Sequence, residues 1–365
     1  MAPDLERAER TALNGGVLPA DVMYEILLRV PAKALCRLRL VCRSWRSLTS
    51  DPRFAREHLP RHPLLAARRP LWGQIYAVDM SGEIVKKIRI GIKNFKLSVQ
   101  ADLVCLAKTK RALVLNPGTG EIHALPDASL DIAESRCILG RIPSTGEYKA
   151  IRIGLHQDNE QAYECEVITL GGGGDQKWRV KSNPPIRVFP YSWSAAAVNG
   201  VAYFLPALVL YYSQNITRDS IVLFDLVTEE WRQTVLEGPV SAGLDGASRL
   251  KNNPHVELAK LSGCLVMAYH NNQHRSLDLW FLVDVDRGLW NKRYSMKYSH
   301  WMQEEAPYPL VVLDDGKVVL TWVGTSRTLI TYDPRTGAWA YLVKLEDCHF
   351  MGMLEGSLLC SDLQY

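Results

Sequence analysis

The chain has 365 residues, 47% of them hydrophobic and 22% charged, with a formal net charge of +4. Such a composition belongs to a globular protein with ample core and excludes disordered, collagen-like and coiled-coil classes, while the length calls for two domains or a small module on a large fold. No apolar run approaches the ~20 residues of a membrane span, and no apolar segment follows the charged first ten residues as in a secretory signal. No membrane association is expected, and the setting is cytoplasmic or nuclear.

Residues 1–70 carry 13 Lys and Arg against 7 Asp and Glu, so the basic excess is local. It is too small a stripe for a nucleic-acid footprint, and no nucleic-acid partner is expected. The eight cysteines are scattered, with no Cys-x-x-Cys pair to close a zinc tetrahedron. They read as reduced, mostly buried small hydrophobes.

In chain order, residues 1–16 read as a disordered N-terminus. A helix is predicted over 19–30, with Pro19 in its first turn and Val22, Ile26 and Val30 at four-residue intervals. Pro31 ends it. A second short helix runs to about Arg37, and a third takes Leu40 to Leu48, with Val41, Trp45 and Leu48 on one stripe. Asp51 and Pro52 begin a fourth, which carries Phe54. These short helices hold more apolar groups than they can hide, so the excess either packs on the larger domain or seeks a partner.

The run Leu18-Pro19-Ala20-Asp21-Val22, Glu25-Ile26-Leu27, Arg29-Val30-Pro31-Ala32-Lys33, Leu35, Arg37, Val41-Cys42-Arg43, Ser44-Trp45-Arg46, Leu48 and Asp51-Pro52-Arg53-Phe54 resembles an F-box of the plant type. The resemblance sets a module over residues 17–58. It implies docking of a Skp-type adaptor, and through it a cullin, in an SCF ubiquitin ligase. By that resemblance Leu18, Pro19, Val22, Ile26, Leu27, Leu35, Leu38, Val41, Cys42, Trp45 and Leu48 build the module's core or its adaptor face. The sequence leaves open which does which.

Residues 59–71, rich in Pro and Arg without periodicity, read as a linker. From 72 to 365 the pattern changes to short strands. An apolar strand, an Asp or Asn turn and a strand opening on Ile or Trp recur, with Ile84, Ile122, Trp178, Trp231, Trp290 and Trp339 at the repeating position. Spacings of 38 to 59 residues between them match propeller blades with insertions. Tight turns at Asn199-Gly200, Ser262-Gly263 and Asp315-Gly316 mark the inner halves of later blades. A final stretch, Phe350 to Cys360, has no following partner and is expected to complete the first blade. The fold class is therefore α+β in two parts, a small helical module followed by an all-β propeller, with six blades predicted and five or seven as the alternatives, and with the four tryptophans in its core. The Asn116-Pro117-x-Thr119-Gly120-Glu121 turn, the Asn199 to Phe204 strand and the Asp225 to Trp231 repeat are similar to the F-box-associated, kelch-like propeller domains of plant F-box proteins. That resemblance implies a receptor that holds a protein substrate for ubiquitination.

Signs of catalysis are weak. Asp284-x-Asp286-x-Gly288 lacks the remaining EF-hand ligands and reads as a turn whose Asp caps backbone amides. His270 and His274 lack the Glu of a zincin helix and read as solvated loop histidines, the Gly171–Gly174 run lacks a phosphate-binding Lys, and no Gly-x-Ser-x-Gly elbow occurs. Neither metal nor cofactor is expected, and the chain reads as a non-catalytic subunit. Loop aromatics Tyr211, Tyr212, His300 and Trp301 are the candidate substrate contacts. The rival reading is a glycan-binding or hydrolytic propeller with a helical cap, using Tyr298, Trp301, Glu304 and Glu305.

Overall fold

The computed structural model describes residues 18–69, 73–91, 96–100, 103–108, 110–117, 119–130, 132–156, 163–171, 176–188, 193–207, 216–217, 219–240, 255–271, 274–299, 302, 306–322, 328–345 and 348–354. Among them are four helices, α1 (Ala20–Leu28), α2 (Ala32–Leu38), α3 (Arg43–Thr49) and α4 (Pro52–Arg61). None is long and apolar enough to cross a membrane. The third helix begins later than the sequence pattern indicates, because Leu40 and Val41 lie in the turn and Cys42 takes the N-cap position with extended backbone. Leu27, Leu28, Leu35 and Phe54 fill the module's centre, with Tyr24 edge-on to Phe54. At the C-terminal end of α1, carbonyls that no helical amide can reach are met by imidazoles of α4 and the residue just beyond it. His58 Nε2 donates to the Val30 carbonyl at 2.8 Å and His62 Nε2 to that of Leu28 at 3.1 Å.

The described residues beyond the helices form twenty-four strands, in six antiparallel sheets of four. Blade 1 orders β24 (His349–Leu354), β1 (Leu64–Arg69), β2 (Gln74–Val78) and β3 (Ile84–Arg89); blade 2 runs β4 (Lys96–Gln100), β5 (Leu103–Lys108), β6 (Arg111–Leu115) and β7 (Ile122–Ala124). Blade 3 holds β8 (Ile132–Arg141), β9 (Tyr148–His156), β10 (Tyr163–Leu170) and β11 (Arg179–Lys181); blade 4 holds β12 (Ala195–Val198), β13 (Val201–Phe204), β14 (Val222–Asp225) and β15 (Glu230–Trp231). Blade 5 is β16 (His255–Leu261), β17 (Cys264–Asn271), β18 (Ser276–Asp284) and β19 (Leu289–Lys297), and blade 6 is β20 (Pro307–Val312), β21 (Val318–Trp322), β22 (Thr328–Asp333) and β23 (Ala338–Lys344). The strands that begin each sheet touch in sequence, β24 to β4, β8, β12, β16, β20 and back to β24, so the ring is a closed six-bladed propeller.

The C-terminal segment joins blade 1 as expected, and its described residues supply the strand β24 that pairs with β1. Its neighbour β1 corrects the linker assigned to 59–71. Helix α4 continues to Arg61 and Leu64–Arg69 pair with both β24 and β2. Leu64 to Ala67 are all buried, so this strand is apolar on both faces and shows no alternation.

Strand alternation gives the ring two unlike faces. One carries tight turns. Asn199-Gly200 and Ser262-Gly263, all at positive φ, close two-residue hairpins. On the same face Asp79, Asp225, Asp284 and Asp333 each accept backbone amides two to four residues on, which is the capping role read for Asp284. The longer connections, including 205–221, 232–254 and 298–306, begin and end on the other face.

Adjacent blades are joined by the recurring tryptophans. The indole N–H of Trp178 donates to the Pro126 carbonyl at 2.8 Å, Trp231 to Ser182 at 2.8 Å, Trp290 to Glu237 at 3.1 Å and Trp339 to Lys297 at 2.8 Å. Each acceptor lies at the end of the preceding blade's outer strand or in the segment that follows it. Trp178 and Trp231 are buried, whereas Trp290 and Trp339 are half-buried at the rim. Between blades 3 and 4, Glu229 adds an ion-pair knot to Lys149 at 2.8 Å, Lys181 at 2.6 Å and Arg179. Desolvation pushes its carboxyl up, but hydrogen bonds from those three cations hold it at about 2. Within blade 3, Arg152 and Glu166 form a fully buried pair at 2.6 Å that also binds the backbone of Ser129 and Leu130.

Trp231 packs tilted against Phe204 and edge-on to Phe224 at centroid distances of 5.4 and 4.9 Å, so its ring and its N–H have separable effects. Trp231→Phe is expected to cost about 1 to 2 kcal/mol by leaving the Ser182 carbonyl unmet, and Trp231→Ala about 3 to 5 kcal/mol. Thermal unfolding midpoints measure both, and a Phe variant as stable as wild type would contradict the latch.

Candidate functional site

Two surfaces come from this architecture, one on the helical module and one on the long-connection side of the ring. The module sits against the turn side. Ala32 joins the apolar cluster of Leu64, Ile75 and Leu354 in blade 1 with Val104 and Leu106 in blade 2, and Lys33 pairs with Glu83 in the β2–β3 turn. The packing of α1 to α4 sorts the residues whose roles the sequence left open. Leu27 and Leu35 are 1% and 0% exposed and pack in the module's own core, so of the two roles left open by the sequence they take the core one. Leu38, Trp45 and Leu48 are half-buried and pack against that core.

Val22 and Ile26 lie one turn apart on α1, with Leu18 four residues earlier just ahead of the helix, and the three remain 39%, 43% and 46% exposed. Pro19 is exposed beside them. In the α2–α3 turn Leu40 and Val41 reach 77% and 64% exposure, the largest values among the module's described large hydrophobic side chains. Leu40 stood outside the docking residues read from sequence, and its position directly after α2 is what exposes it. Cys42, next in the chain, is exposed and has its thiol 3.1 Å from Ser44 Oγ. Hydrogen bonds from Ser44 and the Trp45 amide lower that thiol's pKa.

On the opposite side of the ring, Tyr211, Tyr212, His300 and Trp301 lie outside the described residues, as do Glu304 and Glu305. Their connections, β13–β14 and β19–β20, begin and end on the same face. Tyr298, taken for a sugar platform, meets His270 Nδ1 through its hydroxyl at 2.5 Å. His270 is itself a correction: it is buried in β17, not solvated in a loop. Register places His255 of β16 directly opposite it, and Glu257 Oε2 is 3.3 Å from His270 Nε2. No sequence spacing announced this group.

A family model described as an F-box associated beta propeller domain matches residues 78–339. The chain belongs to that family. An F-box domain model matches residues 17–57, which coincides with the helical module. Among curated relatives, F-box protein At3g07870 of Arabidopsis thaliana is 27% identical over 93% of this chain and 90% of its own length. F-box protein CPR1 of the same plant is 24% identical over 91% of this chain and 85% of its own length.

Holding the F-box together makes it acid-sensitive. Desolvation lowers the His58 imidazole to about 4, with the charges of His62 and Arg61 adding to the effect against the Val30 hydrogen bond. An unfolded chain takes that proton near pH 6.5, so between about 6.5 and 4 protons favour unfolding, and stability is lost as pH falls through that window. His58→Gln, which keeps a donor for the Val30 carbonyl, is expected to flatten this part of the profile. Thermal midpoints of the two proteins from pH 7.5 to 4.5 test it, and identical slopes would refute it.

Proposed function

We propose that this F-box protein is a substrate-recognition subunit of an SCF-type ubiquitin ligase, with the F-box docking a Skp-type adaptor and the propeller holding the protein to be ubiquitinated. The observation that carries the reading is the apolar set Leu18, Val22, Ile26, Leu40 and Val41, left exposed by a module whose own core is already filled by Leu27, Leu28, Leu35 and Phe54. Apolar groups so concentrated on a small module mark a docking surface. The F-box match and the F-box relatives support the same role. A cullin joins through the adaptor, so the ligase arm lies on the turn side of the ring while substrate approaches the long connections opposite. Such an assembly works in the cytoplasm or nucleus. The chain needs no chemistry of its own in this scheme, because ubiquitin transfer falls to other subunits.

Exposure makes the test cleaner than at a core position. Ile26→Asp and Val41→Asp are expected to keep the native circular dichroism spectrum and to weaken binding of a purified Skp-type adaptor at least tenfold, the loss of about 1.4 kcal/mol or more. Leu35→Asp is expected to unfold the module. Undiminished adaptor binding by both exposed variants would overturn the assigned face.

A further inference from the structure

The group in blade 5 reaches beyond the adaptor reading and is independent of it. His255 opens β16, Glu257 lies two residues on and therefore on the same side of the strand, and His270 faces His255 across the β16–β17 ladder. The two imidazoles are 4.9 Å apart at their centroids. Between them stands a buried carboxylate, with Oε2 3.3 Å from His270 Nε2 and Oε1 3.7 Å from His255 Nε2. One ligating atom from each of the three residues falls within 4.8 Å of the others.

Glu257 is 2% exposed, yet among the described residues its Oε1 accepts no hydrogen bond. A buried carboxylate oxygen in that position carries a full desolvation cost. On the far side of the His270 ring, Nδ1 meets the Tyr298 hydroxyl at 2.5 Å, and the Tyr298 amide donates to the Arg275 carbonyl at 2.7 Å. Such an outer hydrogen bond is what orients a ligating histidine, and with the ring proton on Nδ1 it leaves a lone pair on Nε2. In this tautomer the Nε2 lone pair and the carboxylate face one another, and a cation between them satisfies both.

We propose that His255, Glu257 and His270 form a binding site for a first-row divalent cation of the zinc class. Zinc bonds of about 2.0 to 2.1 Å place tetrahedral ligand atoms roughly 3.3 to 3.4 Å apart, which is the spacing of Glu257 Oε2 and His270 Nε2, and His255, on the surface, closes on that pair from within 4.8 Å. Two imidazoles with one carboxylate disfavour calcium and magnesium, which take oxygen ligands, and the absence of a thiolate from the set disfavours copper(I). Three protein ligands leave a fourth position, and the half-exposed His255 opens it to the long-connection face. A donor from a bound partner can complete the sphere there.

The test uses the tag-free full chain, freed of metal with a chelator and titrated with Zn²⁺ by calorimetry, with circular dichroism as the folding control. One equivalent is expected to bind. His255→Gln and Glu257→Gln are expected each to weaken binding about tenfold or more, whereas His274→Gln leaves it unchanged. His255 is on the surface, so its variant keeps the experiment decisive even if Glu257→Gln disturbs folding. A folded wild type that takes up no Zn²⁺, or uptake that the folded His255→Gln variant leaves intact, overturns the proposal.

Discussion

Everything in this molecule depends on one antiparallel pairing, that of β24 with β1. Leu64 faces Leu354 and Leu65 faces Met353 across it, so residues nearly 300 apart in sequence share one ladder. A propeller with that ladder open would expose two sheet edges and the apolar flanks of blades 1 and 6. With it closed, no inner strand lacks a neighbour on either side. The same pairing fixes the F-box, because β1 begins just beyond α4 and its Leu64 shares a cluster with Ala32 of α2 and Leu354 of β24. Ring closure and module attachment are thus one packing event.

Around the ring the joints are not equal. Blades 3 to 6 each anchor to the preceding blade through an indole N–H and a backbone carbonyl, whereas Ile84 and Ile122 occupy the equivalent places in blades 1 and 2 and are 41% and 38% exposed. These two blades rely instead on the closure ladder and on the F-box, whose Lys33 reaches Glu83 in the turn of blade 1. Close approach takes over at one such joint: a Cβ on Gly82, already at φ 86°, would meet Val343 of blade 6 at 2.3 Å. The function proposed here follows from this division, with a closed ring between an apolar module surface on one side and long connections on the other.

The outer hairpins were legible because local chemistry writes them: an Asp or Asn whose side chain caps the turn, followed by the latch tryptophan, repeats within one stretch of chain. Strand β1 was not legible. Its residues Leu64 to Ala67 are buried on both faces, which removes the alternation of a half-exposed strand, and its partner lies at the far end of the sequence. The module's apolar residues could be named from sequence but not sorted, since the difference between Ile26 and Leu27 is which way α1 turns against α4. His255 and His270 stayed hidden for a related reason. Their proximity is a matter of strand register, and the polar Asn271-Asn272-Gln273 run after His270 made a buried strand end look like a loop.

The central claim, that the adaptor takes the exposed side of the helical module while the opposite face of the ring stays free for substrate, is tested most directly by hydrogen exchange of the full chain with and without a Skp-type adaptor. The account predicts new protection confined to α1, α2 and the turn carrying Leu40 and Val41, with exchange in β13–β14 and β19–β20 flanking segments unchanged. Protection appearing on those long-connection flanks, with the helices unaffected, would contradict it.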